Sequence, residues 1–342
     1  MNESLGDWMA TIKDIAKAAG VSIATVSRVI NDLGGYSEVT YQKVKAVSKE
    51  LNYTKNSLAR SLVRKRSQTI GVIMPTVPTS FSNPIIDGIE EVAEQLNFDV
   101  IISHTGSASK YILQKIIRMN EFKVDGLIII SSQLSQVETA YLEKNDIKTI
   151  LVSTMVPDSD LPYIKVDDYS AMYAITNYLI SIGHRRIGLA GPNLQDKVAG
   201  QPRFAGYKKA LIDAGIKFQD EWIQTGVFDF TSGGKAVRNY LKDAIDISCI
   251  CCVSDECALG AISEAAANNI IIPKELSITG YDGTSLAKMV SPTLTTIKQP
   301  FFQMGIQSCS ELIACINDGK VMKSQLLNFS LELGQTTKEK RG

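Results

Sequence analysis

The chain of 342 residues is longer than one hydrophobic core usually serves, so two or three domains are expected, and its 36 Lys and Arg balance 36 Asp and Glu. The balance is uneven: residues 1–66 hold 11 basic against 6 acidic side chains and the remainder 25 against 30, which reserves any polyanion partner for the N-terminal part. No run approaches the ~18 apolar residues of a membrane span, and no basic segment followed by an apolar one opens the chain, so neither a membrane partner nor a secretory signal is indicated and a cytoplasmic protein is expected.

Residues 1–10 show no periodicity and are expected to be disordered, with Met9 a candidate natural start. From Thr11 the pattern becomes helical. Thr11 reads as an N-cap with Asp14 three residues on, followed by Ile12, Ile15, Ala16 and Ala19 at helical spacing, and Gly20 ends the helix. Ser22 caps a second helix whose buried stripe is Val26, Val29 and Ile30, leaving Ile23, Ala24, Thr25, Ser27 and Arg28 to project. Two short helices joined through a glycine, the second presenting small, polar and basic side chains, make a helix-turn-helix that fits a DNA major groove; a helical hairpin in a core would share the same pattern. Arg28 can donate two hydrogen bonds to guanine and Ile23 and Ala24 offer apolar contact to thymine methyls. Lys13, Thr25, Ser27, Lys55 and Arg60 suit phosphate or sugar.

After the turn DLGGY, Ser37 caps a third helix carrying Val44, Val47 and Leu51, which completes a small three-helix core. Asn56 can cap SLARSLVRKRS, a segment shorter than the ~12–15 residues at which an isolated helix becomes marginal, so it is expected to fold only against something else. Arg64, Lys65 and Arg66 form a basic run that a solvated linker would equally explain.

In these motifs, T-I-K-D-I-A-K-A-A-G-V-S, T-V-S-R-V-I-N, Ser37 and Thr40, and N-x-x-A-R-S-L at residues 56–62, the chain resembles the lactose repressor and purine repressor family of bacterial transcriptional regulators, over about nine-tenths of its length. The resemblance implies that Ile23, Ala24 and Arg28 reach base edges and that Leu62 wedges into the minor groove at the operator centre, a use to which leucine is suited. In the head and hinge three positions depart from the family: Lys55 stands where proline is usual, Tyr36 where a small apolar residue is usual, and Tyr41 where arginine is common.

From Ser67 short apolar runs alternate with amphipathic stretches. Residues 70–74, 100–103, 126–131 and 149–152 read as strands with helices at 85–96 and 111–121 between them, and the pattern repeats with strands at 187–190, 225–228, 250–253 and 278–280 and helices at 206–214, 233–242, 258–268 and 301–317. Continuous apolar strands separated by helices mean parallel sheets covered on both faces. The expected fold is therefore α/β: a two-lobed, periplasmic-binding-protein-like effector domain behind a small all-α helix-turn-helix domain. Its divisions are a head at 11–54, a hinge helix and linker at 55–66, and an effector-binding and dimerisation domain at 67–334, followed by a tail at 335–342. Lobe 1 spans about 67–165 plus 299–325 and lobe 2 about 166–298 plus 326–334.

In such sheets ligands bind beyond the carboxyl ends of the strands. Asn83, Asp167, Asp255 and Asp282 stand there, with Arg203 opening RFAGYKKAL. Carboxylates and an arginine facing one cleft suit a polyhydroxylated effector such as a sugar, although any one aspartate alone could equally cap a helix. The resemblance assigns the same role to Arg203, Asp255 and Asp282 and places Asn83-Pro84 on the opposite lobe, but Ser254 and Gly283 replace the usual asparagine and aspartate, so ligand identity does not carry over. Some relatives take a protein corepressor instead, and a carbohydrate-binding module without a regulatory role would share the two lobes.

His184 in S-I-G-H-R-R-I reads as structural. Of the six cysteines, Cys251 and Cys252 should face opposite sides of a strand and read as reduced core thiols, not metal ligands. No nucleophile elbow, GxGxxG or Walker sequence is present, so neither an enzyme nor a cofactor is expected. The tail TTKEKRG has no leucine heptad, which leaves a homodimer reading the two halves of a palindromic, double-stranded operator.

Overall fold

The computed structural model describes residues 10–53, 66–76, 80–106, 110–157 and 159–340, in two compact units that divide after Ser67. The hinge residues 55–62, with Lys55, Arg60 and Leu62, together with Arg64, Lys65 and Met9, lie outside the described residues.

The first unit is three helices, α1 (Ile12–Ala19), α2 (Ile23–Ile30) and α3 (Glu38–Glu50). Each begins at a hydroxyl cap. Thr11 and Asp14 form a reciprocal capping box, and the Ser22 and Ser37 side chains accept from the backbone N–H of Thr25 and Thr40. Gly20 takes the left-handed conformation (φ 62°) that ends α1, which costs a residue without a Cβ little. Ile15, Ala16, Ala19, Val26, Val29, Ile30 and Val44 form the core, with Ile12 and Val47 half-buried at its margin; Leu51, expected inside, is exposed at the end of α3.

The strands of the second unit are β1 (Thr69–Met74), β2 (Asp99–His104), β3 (Gly126–Ile130), β4 (Thr149–Val152), β5 (Tyr163–Val166), β6 (Ile187–Ala190), β7 (Ile223–Gln224), β8 (Cys249–Cys252), β9 (Ser277–Asp282), β10 (Thr295–Lys298), β11 (Gln325–Leu327) and β12 (Ser330–Glu332). They form two six-stranded sheets ordered β11-β5-β4-β3-β1-β2 and β12-β10-β9-β8-β6-β7. Every described pairing is parallel except β10 with β12. In the first lobe β1 (Thr69–Met74), β3 (Gly126–Ile130) and β4 (Thr149–Val152) are buried almost throughout, as strands covered on both faces must be. The chain crosses between lobes after β5 (Tyr163–Val166), after β10 (Thr295–Lys298), and between β11 (Gln325–Leu327) and β12 (Ser330–Glu332). Helices from distant parts of the chain pack in pairs at glycines. A Cβ on Gly88 would stand 2.3 Å from the Phe302 carbonyl oxygen and one on Gly305 2.1 Å from that of Ile85, so the helices Ser82–Gln95 and Phe301–Asp318 touch backbone to backbone.

Four expectations are corrected. The strand read at 225–228 is only β7 (Ile223–Gln224), and the chain then turns through Phe228, whose φ of 67° is incompatible with a strand. The helix read from Gly206 begins at Gly200, because Pro202 in its first turn lacks only an N–H that has no partner there. The third crossover falls after β11, so the residues returning to lobe 2 start beyond Leu327. Finally, residues 335–340 are no free tail: Ile278 donates its N–H to the Thr336 carbonyl, Lys338 to Ser277 Oγ, and Lys340 to the Ile182 carbonyl, with Thr336 fully buried. His184 helps hold this segment, its Nε2 lying 3.1 Å from the Lys338 oxygen and Nδ1 2.8 Å from Ser248 Oγ. Cys251 and Cys252 enter different cores, as strand alternation requires.

Candidate DNA-reading surface and interlobe cavity

In the first unit the caps and core leave α2 presenting one exposed face. Ile23 is half-exposed, Ala24 and Arg28 are exposed, and Ser27 is partly covered where its hydroxyl meets the Asn31 amide. The Thr25 hydroxyl lies 2.9 Å from Ser22 Oγ, so it belongs to the cap as well as to the surface. Lys13 projects from α1. Arg28 folds toward the turn at Gly35, where an added Cβ would stand 3.0 Å from its guanidinium. The unusual Tyr36 and Tyr41 stack with centroids 5.8 Å apart, Lys45 lies over the Tyr41 ring, and the Tyr36 hydroxyl donates to Asp32 at 2.6 Å.

In the second unit a cavity of about 180 Å³ opens between the lobes, at the carboxyl ends of strands from both sheets. Its polar centre is Arg203 on the helix Gly200–Asp213. The guanidinium Nε donates to Asp168 at 2.8 Å and Nη1 to the Val253 carbonyl, the plane lies 3.8 Å from the centroid of Tyr281, and Nη2 stops 4.0 Å from Asp282, beyond a hydrogen bond. Lys165 reaches Asp168 from the other side at 2.9 Å. Burial alone would raise the Asp168 carboxyl, but Arg203 and Lys165 outweigh it and hold the group below its usual range; Asp168 in turn, with Tyr281 and Asp282, keeps Arg203 charged in spite of its burial. Asp282 is different. Burial pushes it well above the usual carboxylate range against the pull of Arg203, and it accepts from Gln299 at 2.8 Å. Its φ of 113° is a conformation that costs a non-glycine residue energy and recurs at functional sites. Phe81, Phe228 and Phe301 supply apolar walls, and Ser131 and Ser153 supply hydroxyls from the first lobe. A donor, an acceptor that can carry a proton, and aromatic faces around one small space can engage neighbouring hydroxyls and a sugar-like ring face.

The structure brings together two of the five residues read as cleft residues, Arg203 and Asp282. Asp167 sits outside the lining and caps the helix Asp168–Ser181, accepting from the N–H groups of Tyr169 and Ser170. Asp255 also lies behind the wall, fully buried, where it accepts from Thr296 and twice from Thr284. Asn83 is exposed on the helix Ser82–Gln95 and does not line the cavity. Sequence reading missed Lys165, Asp168 and the three phenylalanines. The signal for Asp168 was the doublet Asp167-Asp168 at a helix start, in which the first residue faces outward to cap and the second turns inward. Among the described residues no group of three His, Cys, Asp or Glu could hold a metal ion, and no helix is long and apolar enough to cross a membrane.

Residues 11–56 match the family described as bacterial regulatory proteins, lacI family, and residues 67–330 match that of periplasmic binding proteins and the sugar binding domain of the LacI family. The HTH-type transcriptional regulator RegA of Clostridium saccharobutylicum is 35% identical over 310 residues, which span 90% of this chain and 93% of that one. Among solved structures, the Lac repressor dimer bound to operator and the anti-inducer ONPF is similar with a TM-score of 0.86 at 29% identity, over 96% of this chain and 99% of that chain. A LacI family regulator from Enterococcus faecium with bound ribose is similar with a TM-score of 0.72 at 26% identity, over 80% and 100% of the two chains.

Proposed function

The chain belongs to the lacI family of bacterial regulatory proteins and is a DNA-binding transcriptional repressor, and from that premise we propose that a sugar or sugar derivative bound in the interlobe cavity controls its affinity for operator DNA. The observation that carries this reading is the arrangement of Arg203 and Asp282 around one small, aromatic-walled space at the strand ends of both lobes. Lys165 and Asp168 fix the guanidinium from behind, so the free Nη2 edge keeps a set direction toward the cavity, and a preset donor loses less entropy on binding. The bound ribose of the Enterococcus faecium regulator supports a sugar as the effector class.

On the DNA side, α2 enters the major groove of each half of a palindromic operator, with Arg28 read against guanine and Ile23 and Ala24 against thymine methyls, while Lys13, Thr25 and Ser27 contact the backbone. The operator structure of the Lac repressor dimer supports a homodimer as the reading form. Lys55, Arg60 and Leu62 join this proposal from the sequence alone, the first two as backbone contacts and Leu62 as the central wedge.

A thermal-shift screen of the full chain with pentoses, hexoses, disaccharides and their phosphates tests the effector class, because a ligand that binds only the folded state raises its apparent stability. A sugar that raises the midpoint and also changes operator affinity supports the reading. Stabilisation by none of these classes removes it.

A further inference from the structure

Directly beside a residue of the cavity wall lies a polar contact that neither the core nor the proposed effector chemistry accounts for. Glu256 is the second residue of the helix Asp255–Ala267 in lobe 2, yet its Oε1 accepts from the backbone N–H of Ser80 in lobe 1 at 2.7 Å, across 176 residues of sequence. The side chain is 6% exposed, and its Oε2 is buried with no hydrogen-bond partner among the described residues. A helix N-terminus tolerates a buried carboxylate better than most places, because unsatisfied N–H groups and the helix dipole favour negative charge there. A carboxylate brought out of water for one backbone N–H of the opposite lobe, with its second oxygen unpartnered among the described residues, is nevertheless costly, and its retention asks what use the contact has. Phe81, directly after Ser80 in the chain, supplies that use: it is a wall of the cavity and lies against Phe301 at a centroid distance of 5.5 Å.

We propose that Glu256 is a positioning residue that latches the two lobes together, its carboxylate fixing Ser80 and thereby the Phe81 wall of the effector cavity. Gln133 of lobe 1 reaches Asp196 of lobe 2 at 2.9 Å, but that bond is exposed and water competes for it. The Glu256 contact is sheltered, and it draws on the backbone of the opposite lobe, so it resists opening more strongly than an exposed side-chain pair. Opening the lobes returns both partners to water; closing them restores the bond and seats Phe81. The latch is thus a two-state element that effector occupancy and lobe closure both bias.

The inference rests on the cavity being the effector site only for its consequence, and the measurement needs no effector, so failure of the latch and failure of the sugar reading are separable. Amide exchange at Ser80 is compared in the full-length wild type, Glu256→Ala and Glu256→Gln. The interlobe distance is followed in parallel with nitroxide pairs at Lys144→Cys and Asp243→Cys in a Cys315→Ser background. The alanine variant is expected to raise Ser80 exchange at least ~10-fold and to broaden the interlobe distance distribution toward longer values. Glutamine keeps a carbonyl oxygen that accepts from Ser80, so it is expected to restore both readouts to within ~3-fold and to a single population, which a role in charge alone would not do. Unchanged Ser80 exchange or unchanged distance in Glu256→Ala, or failure of glutamine to restore either, overturns the proposal.

Discussion

Three side chains show how far residue type is a guide to role, and each is open to test. Arg28 is the one long basic donor on the exposed face of α2, and a bidentate contact to a base contributes about 1–3 kcal/mol of discrimination. Arg28→Ala is therefore expected to lose discrimination at one base pair per half-site, measured by titration against operators substituted position by position; equal losses on specific and random DNA would make it a phosphate contact. Asp255 makes one testable contribution to the pH dependence of stability. Burial pushes its carboxyl up to about 7, against the hydrogen bonds from Thr296 and Thr284 that lower it. The folded state then holds a proton that the unfolded chain has already released, so the contribution of this group is fully present below about pH 4 and is lost as the pH rises to about 7, on the order of a few kcal/mol. Urea midpoints of wild type and Asp255→Asn from pH 4 to 8 check this: the wild type is expected to lose stability across that window relative to the variant, and parallel curves would contradict it. Residue type alone did not separate Asp255 from Asp282. Both end a strand or open a helix and both are buried, yet Asp255 meets Thr284 and Thr296 while Asp282 meets Gln299 and the cavity.

At the scale of elements the local rules worked where the signal is local. Caps at Thr11, Ser22 and Ser37 and the left-handed Gly20 define the head, because a hydroxyl three residues ahead of an unpaired N–H needs no tertiary context. Periodicity failed between 223 and 229, where Thr225, Val227 and Phe228 have strand-forming side chains but the chain must turn to place Phe228 against the cavity. Asp167, read as a cleft residue, caps a helix outside the cavity lining. Asp167→Ala is expected to cost about 1 kcal/mol of stability, read from the denaturation midpoint, while leaving effector affinity within ~2-fold of wild type. A large loss of effector affinity without loss of stability would return Asp167 to the cleft. The segment after β12 was illegible for another reason: residues 335–340 have no periodic pattern, and their order comes from backbone bonds to Ile278, Ser277 and Ile182, which the sequence does not announce.

The whole molecule joins in one chain a basic DNA-reading unit and a two-lobed unit whose cavity is built from residues as far apart as Phe81 and Phe301, and the proposed function requires the two to be coupled. Such coupling requires only that effector bind two conformations with different affinity, and operator binding must then shift effector affinity by the same factor. The mutation that isolates it is Asp282→Ala. Arg203 stays paired with Asp168 in that variant, so no buried charge is stranded, whereas Arg203→Ala would leave Asp168 with Lys165 alone and cost about 3–5 kcal/mol. The most direct measurement is operator affinity as a function of the sugar found by screening, in wild type and Asp282→Ala at one fixed salt concentration, since DNA affinity shifts steeply with salt. Equal operator affinity is expected for the two proteins without sugar, together with a sugar response in the wild type that is lost or displaced at least ~10-fold in concentration in the variant. A variant that responds at the wild-type concentration would contradict this coupling and move effector control away from the interlobe cavity.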